Sequence, residues 1–120
     1  TEVIFTDWQR DLAEVAACPN VVMKLGGLMM PWTDFGFELR AKPPTSDELV
    51  AAQGRHYHAA IALFGASRCM FESNFPVDKL CASFDTIAFG MREILGGFTS
   101  AEQRAFFHDN AIRIYDMEQS

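Results

Sequence analysis

Apolar residues recur along the chain with two periods, and the switches between them mark out the elements. From Thr6 to Cys18, Trp8, Leu12, Val15 and Ala16 fall at helical spacing, and Pro19-Asn20 ends the run. Val21 to Leu25 is instead a continuous apolar run, rich in β-branched residues, broken only by Lys24 and closed by Gly26-Gly27. That pattern predicts a short strand covered on both faces, as parallel strands are. Leu28 to Pro44 has no period. It holds Pro31, Gly36, Pro43 and Pro44 together with Trp32, Phe35, Phe37 and Arg40. At about 17 residues it exceeds the usual connection, and its rings predict a loop that folds back over something.

Thr45-Ser46-Asp47-Glu48 has the form of a capping box, with Thr45 as N-cap and Glu48 reaching back. The helix it opens is predicted to run to Phe64, burying Leu49, Ala52, Ala60, Ile61 and Phe64, with Gly65 as its stop. Arg68 to Ser73 reads as a second buried strand. Ser83 to Leu95 reads as a helix with Phe84, Ile87, Ala88, Met91 and Leu95 on one face. Thr99-Ser100-Ala101-Glu102 is a second capping box. It opens a final helix through Tyr115 that is expected to bury Phe106, Phe107, Ala111 and Ile114. The order helix, strand, long loop, helix, strand, helix, helix is a slice of an α/β repeat. Two parallel strands leave their sheet edges open, so the pattern predicts further partner chain.

Composition narrows the class. The 120 residues suit one domain, and 49% hydrophobic with 22% charged residues excludes a disordered chain. A formal net charge of −6 with no Lys/Arg cluster argues against a nucleic-acid surface. No apolar run approaches the roughly 20 residues of a membrane span, and the first residues lack the form of a secretion signal. Cys18, Cys69 and Cys81 are odd in number and show no C-x-x-C spacing, which reads as three reduced thiols in a cytoplasmic protein. The expected partners are a small-molecule substrate and no nucleic acid or membrane, with assembly into a homo-oligomer left open.

Four blocks take the reading further: PNVVMKLGGL (Pro19 to Leu28), FGFELRAKPPTSDEL (Phe35 to Leu49), FGASRCMFESNFPVDK (Phe64 to Lys79) and FFHDNAIRIY (Phe106 to Tyr115). Together they resemble the C-terminal end of the amidohydrolase-related family, predicted metal-dependent hydrolases with lactonase-like and decarboxylase-like members. The resemblance implies an α/β fold and, for residues 1–120, the C-terminal part of a single TIM (β/α)8 barrel domain. Val21 to Leu25 would be its seventh strand and Arg68 to Ser73 its eighth, with flanking helices. It also implies a divalent metal, zinc being one candidate, in the full-length enzyme, held largely by histidines outside this chain. No metal is expected in this fragment alone, which by itself is expected to be inactive.

At the tip of the eighth strand the family commonly places an Asp after Ser. Here the residue is Asn74. A carboxylate can accept a proton or charge-pair with a cation, whereas a neutral amide ligates weakly and is no base at neutral pH. Asn74 is the catalytic candidate, with Glu72 or Asp78 as an assisting acid. Arg40, whose planar fork suits a substrate carboxylate, Trp32 as a pocket wall, and Lys24 in its apolar strand are the candidates for substrate binding. Each also has a packing or surface reading. His56 and His58 spell H-Y-H, but residues two apart on a helix diverge by about 200°, so they are not read as a ligand pair. Asp78 and Lys79 read as turn or surface partners, and His108 as structural or exposed. The function expected is hydrolysis of a lactone, ester or amide bond in a small acidic molecule. Non-oxidative decarboxylation of an aromatic acid and an inert, partner-packing module are the alternatives.

Overall fold

A computed structural model of the chain describes residues 2–28 and 35–117. Helix α1 spans Glu2–Ala16, starting earlier than the periodicity marks it because the apolar Val3, Ile4 and Phe5 extend the run without a breaker. Strand β1 is Met23–Leu25 and β2 is Cys69–Phe71, each shorter than its apolar run. They pair in parallel, with Met23 opposite Cys69, Lys24 opposite Met70 and Leu25 opposite Phe71. The ladder continues one step, as Glu72 N–H donates to Leu25 O at 3.0 Å.

Between the strands runs α2, Ser46–Phe64, with the predicted capping box complete at Thr45 and Glu48. Gly65, at φ 82°, ends it in the backbone region that favours glycine. Helix α3 is Phe84–Ile94, with Ser83 as N-cap. The last helical stretch is also capped as predicted, at Thr99 and Glu102, but it is not a plain α-helix. Helix α4 (Ser100–Arg104) passes through a wide π turn at Ala105–Asp109 into α5 (Asn110–Ile114). Two sequence expectations fail here. Phe84 and Phe107 are exposed, because the buried face of each helix is narrower than its run of rings. Over the described residues the chain is thus mixed α/β, mostly helical, with a small parallel sheet.

The core lies where α2 and α3 close over the sheet. Leu25, Leu49, Tyr57, Ile61, Cys69, Met91, Leu95 and Phe106 are its buried members. Gly90 lets α3 press against α2: a Cβ there would stand 3.0 Å from Leu49 Cδ2. Two polar side chains tie the helices to the sheet. Arg68 donates to Ala16 O, Cys18 O, Val21 O and Phe64 O at 2.9–3.2 Å, gathering the C-terminal ends of α1 and α2 at the entrance to β1. Asn110, 1% exposed, donates to Ala66 O and Cys69 O at 2.7 Å each and so anchors α5 to the start of β2.

Candidate functional site

Parallel pairing brings the C-terminal ends of β1 and β2 to the same edge, so Gly26-Gly27 lies beside Glu72-Ser73-Asn74. The approach is close. A Cβ on Gly26 would fall 2.3 Å from Glu72 Cγ and 2.4 Å from Glu72 O, which leaves room only for glycine. Gly27 has φ 82° and faces the Asn74 amide and the Glu72 carboxylate.

Asn74 itself has φ 53°, a left-handed conformation that asparagine tolerates better than most residues. Its side-chain amide donates to Asp78 Oδ1 at 2.8 Å, and Asp78 N–H donates to Asn74 O at 3.1 Å. Two bonds in opposite senses thus fix the Asn74 side chain and backbone together. The amide nitrogen faces Asp78, and the side-chain carbonyl oxygen remains as an acceptor. Asp78, read from the sequence as a turn or surface partner, does sit in a turn but not at the surface: it is 2% exposed. The turn at Val77–Leu80 folds it inward, where it reaches Asn74. Burial pushes the Asp78 carboxyl above its usual range; the bond from Asn74 opposes this and the Glu72 charge adds to it. Tyr57, buried on α2, has its phenol raised by burial first and by Asp78 second. Tyr57, Gln53, Glu72, Ser73 and Asp78 border a cavity of about 10 Å³ under the two strand tips, room for about one water.

Lys24 is half exposed, so it does not carry the cost of a buried ammonium. Its Nζ lies 3.2 Å from Glu72 Oε2, and the hydrogen bond to Glu72 raises the ammonium above its ordinary value. The structure therefore groups Lys24, Glu72, Asn74 and Asp78 around the strand tips. Arg40 stands apart. It follows the 3₁₀ turn Phe37–Leu39, pairs with Glu48 at 3.1 Å and lies over the Phe37 ring. With Phe37, Phe75 and Phe84 it lines a separate open pocket of about 390 Å³. Trp32 lies outside the described residues.

The two histidines of H-Y-H part company on α2. His58 Nε2 donates to Ile94 O at 2.6 Å, a bridge to α3. His56 packs among Phe5, Trp8 and Phe35, and burial lowers its pKa. It is a half-buried packing residue, not a solvated one. His108 pairs with Asp109 at 2.8 Å. Cys69 is buried with its thiol pushed up to about 11, which keeps it protonated and inert. Among the described residues no three His, Cys, Asp or Glu side chains gather in a way that would hold a metal ion. Nor is any described helix long and apolar enough to cross a membrane. What the sequence reading missed is the pairing of Asn74 with Asp78 and the Tyr57 and Gln53 beneath it. The four-residue spacing Asn74–Asp78 was the available signal, hidden by the Pro76 between them.

A family profile described as amidohydrolase matches residues 3–117. The uncharacterised protein y4mH of Sinorhizobium fredii is 39% identical over 92% of this chain and 33% of its own length. L-fucono-1,5-lactonase of Burkholderia multivorans is 34% identical over 93% of this chain and 36% of its own. Two crystal structures of an amidohydrolase from Burkholderia multivorans are similar in fold. The one with bound zinc has a TM-score of 0.79 at 30% identity, covering 92% of this chain and 37% of that one. The one with bound HEPES has a TM-score of 0.85 at 29% identity, covering 98% and 39%. The chain thus spans about a third of the length of the curated relatives it matches.

Proposed function

The chain belongs to the amidohydrolase family, and from that premise we propose that it supplies the closing strands, seven and eight, of a TIM (β/α)8 barrel hydrolase. The reaction is addition of water to a lactone, ester or amide bond of a small acidic molecule, a lactone being the first choice. The observation that carries this is the parallel register of β1 and β2, which sets the polar groups Lys24, Glu72 and Asn74 at one edge of the sheet. In parallel barrels the C-terminal strand ends form the reaction face. The lactonase of Burkholderia multivorans, 34% identical across this region, supports the same bond type.

Each residue then has a chemical part. Asn74 cannot take a proton at neutral pH, so it is an orienting group: its side-chain oxygen, turned away from Asp78, accepts a hydrogen bond from the attacking water or from a substrate hydroxyl. Glu72, whose charge Lys24 offsets, is the second acid at the strand tips, beside the Asp78 that holds the Asn74 amide. Arg40 and Trp32 are assigned to the substrate's remote end, and Lys24 to the edge of the reaction face. A divalent metal, as in the zinc-bound amidohydrolase, would polarise the scissile carbonyl in the complete enzyme. The described residues do not assemble a ligand set for it, so its ligands are assigned to the remainder of the barrel.

The test is hydrolysis by the complete enzyme of a lactone that carries a free carboxylate, with a neutral sugar-acid 1,5-lactone beside it, followed through acid release with an indicator dye. Asn74→Ala is expected to lower kcat/KM by about tenfold or more, with Asn74→Gln intermediate. Full activity in Asn74→Ala would remove the residue from the reaction. No turnover of any lactone, ester or amide would remove the reaction class.

A further inference from the structure

The open pocket of about 390 Å³ that Arg40 lines, separate from the strand-tip group, holds further groups to which the catalytic reading gives no part. Three rings wall it: Phe37, Phe75 and Phe84, the last two meeting edge to face at 5.8 Å between centroids. Phe75 and Phe84 both keep ring surface open to this pocket. Two cations reach the same space. Arg40 is anchored by Glu48 and the Phe37 face, so its fork is held in place rather than free to wander. Lys79 forms no ion pair with a described residue, although 16 acidic residues crowd a chain with only 10 Lys and Arg. The floor is formed by Cys81, Ala82 and Ser83, where Ser83 caps the start of α3. The positive end of the α3 dipole therefore opens on the pocket. Among the described residues, Glu38 is the single acid in the lining.

We infer that this pocket binds a small carboxylate carried on a flat apolar body, with the rings covering its faces and Arg40 and Lys79 meeting its charge. The inference rests on the barrel reading for one point only. In parallel barrels the loops after the last two strands, with a helix N-terminus, recurrently form an anion site. Here the two loops that line the pocket follow β1 and β2. The inference deepens the hydrolase proposal by naming the remote end of its substrate, the part that is held and not cleaved. Binding energy gained there is available to orient the scissile bond.

The experiment reads binding, not turnover. The complete enzyme, labelled with ²H and ¹⁵N, is titrated with benzoate and, separately, with benzamide, its uncharged isostere, while amide shifts are followed by NMR. Benzoate is expected to move the Phe37, Phe75, Lys79 and Phe84 amides and to bind about tenfold more tightly than benzamide, the equivalent of one charge-assisted contact. Lys79→Met, at an exposed position, is expected to weaken benzoate about five- to tenfold and leave benzamide unchanged. Equal affinity for the two probes, shifts confined to other residues, or an indifferent Lys79→Met would overturn the proposal. The two proposals fail separately. A protein that hydrolyses lactones but ignores benzoate sinks this one alone. A protein that binds benzoate here and hydrolyses nothing sinks the reaction class alone.

Discussion

Removing the guanidinium of Arg68 should loosen the whole sheet. Arg68→Met keeps most of the side-chain stem, yet deletes the guanidinium that lies over the Phe64 ring and its four hydrogen bonds to Phe64 O, Cys18 O, Val21 O and Ala16 O at 3.0, 3.0, 3.2 and 2.9 Å. A hydrogen bond to a charged group contributes about 1.5–3 kcal/mol. The four do not simply add, because they share one side chain. The Cys18 carbonyl is also exposed enough to find water once released. The three part-buried carbonyls dominate, and two of them end helices, where a cation adds to stability. The expected loss is about 3 kcal/mol. For a chain of this size, with a urea slope of about 1–2 kcal/mol/M, that is a fall of roughly 1.5–3 M in the unfolding midpoint. Arg68→Lys should recover only about a third, since an ammonium cannot span acceptors contributed by two helices and a loop. Urea titration by circular dichroism checks both variants. A loss under about 1 kcal/mol, or a Lys variant as stable as the parent, would refute the account of Arg68 as the tie between α1, α2 and β1.

Asp78 gives a prediction in pH. Its carboxyl is raised by burial, so the folded state holds the proton more tightly than the unfolded state does. The stabilisation this confers is complete below the ordinary carboxylate range and fades as pH rises through the raised value. Asp78→Asn keeps an oxygen for the Asn74 amide and removes the buried charge. It should therefore equal or exceed the parent in urea midpoint at pH 7, with the difference vanishing near pH 3; a variant clearly weaker at pH 7 would contradict this. Gly26→Ala should cost about 1–3 kcal/mol, read as a lower melting temperature, because the new Cβ meets the Glu72 backbone as well as its side chain. Asn110→Ala should cost about 2–4 kcal/mol by the same measurement, since it strands the Ala66 and Cys69 carbonyls.

Local chemistry made most elements legible in the chain itself. Both capping boxes, the glycine stop at Gly65 and the Ser83 cap stand where short-range side-chain to backbone bonding puts them. The strands were legible as apolar runs, but their length was not: a ladder forms only where both partners are extended, and that is a property of the pair. The site was half legible. Asn74 at a strand tip follows from counting along β2. The inward turn that buries Asp78 depends on how Val77–Leu80 closes, and no periodicity records it. Lys24 is a divided case. An ammonium set among apolar residues calls for an acid partner, and Glu72 is that partner. Its apolar neighbours also implied burial, while the open edge of β1 leaves it half in solvent.

The wide turn at Ala105–Asp109 gives the last helix a residue in reserve. A π turn holds one residue beyond the α count. Losing one exposed residue from those five would let the ladder close to ordinary pitch, and the remaining residues, at about 100° each, would sweep about the same arc as the five wide ones. Asn110 would keep its heading and the two carbonyls it holds. The most irregular stretch of the helix is therefore the one where the chain can be shortened with the least effect on its anchor.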